Sequence, residues 1–167
     1  MADQWSATEN LISQLAYFVK NDQNGIQLYD TASGLEFKSS KSSSLMDKLD
    51  QVKPHQGSSR TNPSRCIEKI LRDYMERVEE FYTKSKTSRW QIRPRSPVNP
   101  MTIYIFTDGV WQPGCDMASP IRGLISKMIQ YDLPKDQVGI QFIQFGDYYC
   151  GGELAKFDLE EKPTFNM

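Results

Sequence analysis

The stretch MTIYIFTDGVWQPG, Met101 to Gly114, decides the fold class. Met101, Ile103 and Ile105 alternate to one side of an extended chain, and Tyr104 and Phe106 to the other. A segment apolar on both faces suits a central parallel strand covered by helices on both sides. The apolar run stops at Thr107, Asp108 and Gly109. A carboxylate at the exit of such a strand stands on the rim where α/β sheets hold their ligands. Asp108 has two alternative readings there: capping its own loop by accepting backbone N–H groups, or presenting charge to a partner or a metal. Trp111, three residues on, is either a binding anchor on that rim or a ring packed over the next helix.

Outward from this strand, helical and extended patterns alternate. Residues 118 to 131 carry Ile121, Leu124, Ile125, Met128 and Ile129 on one helical stripe, with Pro120 in the first turn. The segment 138–147, VGIQFIQFGD, reads as a second buried strand. Upstream, 62 to about 83 is the strongest periodic signal, with Ile67, Ile70, Leu71, Tyr74, Met75, Val78, Phe81 and Tyr82 on one face. Pro63 fits its first turn, and Thr61 or Asn62 its cap. Residues 6–20 form a helix striped by Leu11, Ile12, Leu15, Phe18 and Val19. The stretch 25–31 is a short strand, 35–38 is weakly extended, and 43–52 is a short helix with a serine cap. The basic, proline-rich run from Thr83 to Pro100 is expected to be a loop. Strands alternating with helices imply an α/β layer fold with a mainly parallel sheet. Residues 1–147 are expected to form the domain, and 148–167 a tail with one short helix near 153–157.

Composition narrows the function. The chain has 167 residues, the size of one ordinary domain, with 38% hydrophobic and 11% aromatic residues to build a core. A formal net charge of -1 gives no global field to recruit nucleic acid or an anionic membrane. No apolar run approaches the roughly 18 residues that would span a bilayer, and the N-terminus lacks a secretory pattern. Three widely spaced cysteines, Cys66, Cys115 and Cys150, argue against a disulfide framework. An intracellular, cytoplasmic setting is therefore expected. A single histidine, His55, rules out a His-rich metal centre.

The order of elements, with Ile105-Phe106-Thr107-Asp108-Gly109-Val110 and Val138-Gly139-Ile140-Gln141-Phe142 as its sharpest pieces, resembles a von Willebrand factor type A domain over roughly residues 5 to 147. It is most similar to the intracellular fungal branch of that family. The resemblance implies a three-layer, Rossmann-like, mainly parallel sheet that binds a partner protein. Members of this kind often hold a divalent cation with an Asp-x-Ser-x-Ser motif, a threonine and the Thr-Asp-Gly aspartate. By resemblance, Thr61 matches that threonine and Asp108 that aspartate.

The chain departs from the family at both ends. The Asp-x-Ser-x-Ser motif and the strand that carries it are absent, and the tail stops short of the usual last helix. One hydroxyl and one carboxylate are too little to hold Mg²⁺ strongly in water. No cofactor is expected, with Mg²⁺ or Mn²⁺ becoming possible only if the missing motif is supplied. The absent strand would lie between the 25–31 and 101–107 strands, so both are expected to lose a ladder. Each buried unmade bond costs about 1–3 kcal/mol against a net stability of about 5–15 kcal/mol. A chain of marginal stability is the expectation.

The remaining features support other chemistry less well. Lys84, Lys86, Arg89, Arg93 and Arg95 surround Trp90, as in a single-strand nucleic-acid grip. The rest of the chain is not basic, so a solvated insertion is the expected reading. His55 and Cys115 have no nucleophile elbow between them and no sequence reason to meet. Cys66 is expected as a small core residue and Cys150 as an exposed, inert thiol. The function expected is a protein-interaction module using Asp108, Thr61 and Trp111, not an enzyme. The alternative is a metal-dependent hydrolase or phosphoryl-transfer enzyme using Asp108, with Asp116 or Asp147 as the second acid.

Overall fold

The computed structural model describes residues 4–19, 25–52, 62–87 and 98–145, without the side chains of 84–87. The fold is mixed α/β. In chain order it contains α1 (Trp5–Val19), β1 (Ile26–Tyr29), β2 (Glu36–Ser39), α2 (Ser42–Leu49) with a 3₁₀ turn at Asp50–Val52, α3 (Pro63–Thr87), β3 (Met101–Thr107), α4 (Ala118–Gln130) and β4 (Val138–Gln144). Two compact units divide the chain. One takes Met1–Asn62, Phe106–Gln112 and Ile143–Met167; the other takes Pro63–Ile105 and Pro113–Phe142.

In the first unit, β1 and β2 form an antiparallel hairpin pairing Ile26 with Ser39 and Tyr29 with Glu36. The connection Asp30–Leu35 is far shorter than the dozen or so residues a parallel crossover needs. Its turn is made by Asp30, whose carboxylate accepts the N–H groups of Ala32 and Ser33, each at 3.1 Å. Gly34 closes it at φ 72°. Strand alternation sends Ile26, Leu28 and Phe37 to one face, where they pack against Ile12, Ala16, Leu45 and Leu49. Burying a leucine such as Leu45 or Leu49 contributes about 1.5–3 kcal/mol. Gln27, Glu36 and Lys38 are exposed on the opposite face.

The second unit is organised by α3. Ile67, Leu71, Tyr74, Met75 and Val78 are buried along one stripe. The face meets α4, which buries Ile121 and Leu124. Tyr82 lies against Tyr131 at 5.2 Å between ring centroids, and Lys127 pairs with Glu79 at 2.7 Å. A buried polar knot fixes the entry to β3. Gln137, 1% exposed, donates from Nε2 to the Val98 carbonyl at 2.8 Å and to the Tyr74 hydroxyl. Tyr74 donates onward to the Asn99 carbonyl at 3.3 Å. Burial raises the Tyr74 hydroxyl above its ordinary pKa, opposed by the Gln137 hydrogen bond and the nearby Arg77 charge.

Beside β3 runs β4, in parallel. Met101 N–H donates to the Gln137 carbonyl at 3.0 Å, and Phe145 N–H to the Thr107 carbonyl at 2.9 Å.

Several expectations from sequence need correction. Of the two strand pairs among the described residues, one is parallel and one antiparallel, so the sheet content is not mainly parallel. β3 has a strand neighbour on one side only among the described residues, and Met101 to Phe106 are exposed or half-buried. Two apolar faces report what covers a strand above and below, not how many strands flank it. The stripe on α1 is also rotated: Thr8, Ile12 and Ala16 are buried, while Phe18 is 79% exposed. Small side chains at positions 8 and 16 let neighbouring chain approach closely, which a stripe of large residues does not reveal. On α4, Ile121 and Leu124 are buried while Ile125 and Ile129 are exposed, so only part of the apolar stripe is covered.

Smaller differences follow from local hydrogen bonding. Lys41 occupies the cap position of α2 without a side-chain cap, and Ser39 Oγ instead accepts the Lys41 N–H at 3.0 Å. α3 runs on to Thr87, four residues past its expected end at Thr83, so the start of the basic run is helix. Cys66 is half-buried, and Cys115 is the buried thiol. The tail 148–167 and the helix expected at 153–157 lie outside the described residues.

Candidate functional site

The candidate site is the loop that leaves β3. Thr107 is the last residue of the strand and its only fully buried one. Its carbonyl accepts the Phe145 N–H, which ties the strand end to the chain leaving β4. Phe106 and Phe145 stack beside this bond, with ring centroids 6.3 Å apart.

Beyond Thr107 the backbone must turn. Gly109 turns it with φ 79°, a left-handed conformation that costs a residue with a Cβ roughly 1–2 kcal/mol. Side chains then satisfy the turned amides. Asp108 Oδ1 accepts the Val110 N–H at 3.0 Å, and Thr107 Oγ1 accepts the Gly109 N–H at 2.9 Å. The Trp111 indole donates Nε1–H to the same Thr107 oxygen, also at 2.9 Å. A hydroxyl oxygen has two lone pairs, and both are now engaged.

Asp108 therefore performs the loop-capping role open to it, and half-buried beside it Trp111 bends back onto its own loop. The two residues share one short segment, Phe106–Gln112, of the first unit. Thr61 lies outside the described residues, as do His55, Asp147, Cys150 and Trp90. Asp116 is committed elsewhere: its Oδ1 accepts the N–H groups of Ala118 and Ser119, both at 3.0 Å, at the start of α4.

Among the described residues, no group of three or more His, Cys, Asp or Glu side chains is placed to hold a metal. Thr107 cannot lend a lone pair, and Asp108 brings one carboxylate with an oxygen already accepting an amide. The described rim alone does not fit a Mg²⁺ site, which takes several oxygen ligands in near-octahedral array.

The residue missed by sequence reasoning is Thr107. A threonine two residues before a glycine signals a side-chain-to-backbone turn, but nothing in the pattern shows that an indole four residues ahead uses the same oxygen. No helix among the described residues is long and apolar enough to cross a membrane. Compared with family models, curated proteins and solved structures, the chain finds no match.

Proposed function

We propose that this chain is a protein-interaction module of the von Willebrand factor A type, with its strands belonging to a three-layer, Rossmann-like sheet. The partner is a protein, bound at the loop after β3 by Asp108 and Trp111, with Thr61 as a third contact. Nucleic acid and membrane are not its targets, and it catalyses no reaction.

The observation that carries this reading is the way the Thr-Asp-Gly loop is built. Its backbone is satisfied internally by Thr107 and Asp108, so it is held in one shape. Trp111 remains half-buried at its end, keeping part of a large ring for contact. Rigid aromatic side chains on rim loops supply contact area at low entropic cost. The lone carboxylate suits direct polar contact better than metal-bridged contact.

Quantitative affinity capture from cells of the source organism tests the proposal. Wild type is compared with Trp111→Ala, Asp108→Asn and a control on the hairpin's exposed face, Lys38→Ala. A partner retained by wild type and Lys38→Ala, and depleted by both rim variants, is the expected result. Equal recovery by all four proteins would reject the rim as the binding surface.

A further inference from the structure

We infer that Thr107 is the positioning residue for Trp111: its hydroxyl fixes the indole on the rim and so sets which surface of Trp111 a partner can meet. Three observations combine. Thr107 is 7% exposed, so its bonds are sheltered from competing water. Its oxygen takes the indole Nε1–H and the Gly109 N–H, both at 2.9 Å. Its carbonyl is locked by Phe145, so the hydroxyl sits on a backbone that cannot easily swing away.

The chemistry has a direct consequence for recognition. Indole has one polar donor and no acceptor. With that donor engaged by Thr107, Trp111 offers a partner its ring alone, as an apolar or cation-accepting surface. A rotamer fixed before binding also spares the entropy of ordering it on contact. Thr107 thus acts on binding without touching the partner. The role assigned to it in recognition rests on the proposed rim function; the positioning itself does not.

The test uses the full chain labelled with ¹⁵N-tryptophan. Its three indole resonances are assigned with Trp111→Phe and Trp90→Phe, and indole N–H exchange with solvent is measured. Thr107→Val removes the hydroxyl and keeps the branched shape; Thr107→Ser keeps the hydroxyl. Exchange at Trp111 is expected to quicken about fivefold or more in Thr107→Val, the loss of one ordinary hydrogen bond. In Thr107→Ser it stays within about twofold of wild type. The Trp5 resonance, in the packed core of the same unit, should not move in either variant. Unchanged exchange in Thr107→Val, or equally fast exchange in both variants, overturns the assignment. A merely structural loss would shift Trp5 along with Trp111, and that result also overturns it. If Thr107→Val frees the indole while Trp111→Ala captures partners as well as wild type, the positioning stands and the rim function falls.

Discussion

Trp111 gives its indole N–H to the Thr107 hydroxyl 2.9 Å away, within the loop that follows β3. The bond joins the buried end of a strand to an aromatic ring on its rim. Because the Gly109 amide uses the other lone pair of the same oxygen, loop shape and ring position depend on one atom. A residue that sequence reading treats as part of a strand is therefore the hinge of the candidate site.

Asp108 has a turn to hold and a charge to present, and two substitutions separate them. Asp108→Asn keeps an oxygen for the Val110 N–H, so its stability in urea should stay within about 0.5 kcal/mol of wild type. Asp108→Ala strands that amide and should cost about 1 kcal/mol. Equal losses would show that the charge, not the turn, supports the fold.

The metal question has a calorimetric answer. Titration of the chain with Mg²⁺ or Mn²⁺ should give no saturable heat below about millimolar concentration, since the described rim offers one carboxylate. Micromolar binding abolished by Asp108→Asn would show a complete site.

Two glycines with the same backbone angle should respond differently to alanine. Gly25 and Gly34 both have φ 72°. A Cβ on Gly25 would lie 2.9 Å from the Ser39 carbonyl oxygen, whereas one on Gly34 meets nothing within 4 Å. Both variants carry the left-handed penalty of about 1–2 kcal/mol. Gly25→Ala should cost more, because backbone must shift as well. Urea midpoints of the two proteins decide the comparison, and equal midpoints would mean that the hairpin yields freely.

The buried Tyr74 hydroxyl should leave a signature at high pH. Its pKa is raised from the ordinary 10.0, chiefly by burial. The folded chain then holds a proton that the unfolded chain releases first, so stability is complete below about pH 10 and falls as pH rises beyond it. Tyr74→Phe loses its bonds with Gln137 and Asn99, costing about 1–3 kcal/mol near neutrality. It has nothing to titrate, so its deficit should shrink above pH 10. A deficit constant from pH 7 to 11 would contradict this.

What sequence could show depended on how each contact is encoded. α3 was legible because a long run repeats Ile67, Leu71, Tyr74 and Val78 at helical spacing, and that stripe is the buried one. α1 was legible as a helix but not in its orientation, since Thr8 and Ala16 contribute by being small. Gln137 gave no sign of burial: its partners Val98 and Tyr74 lie 39 and 63 residues away in the chain. At the candidate site, Asp108 as a loop cap follows from residue type. The return of Trp111 to Thr107 depends on a side-chain direction that no spacing rule supplies. The hairpin pairing could have been read from the short Asp30–Leu35 connection, whose length alone excludes a parallel crossover.

The proposed contact between the ring of Trp111 and another protein is open to a photo-crosslinking amino acid placed at that position. The same group at Leu35, exposed at the end of the hairpin turn, serves as the reference. After irradiation in the source cells, position 111 should yield a discrete crosslinked polypeptide that position 35 does not. No crosslink at 111, or the same products from both positions, would contradict the account.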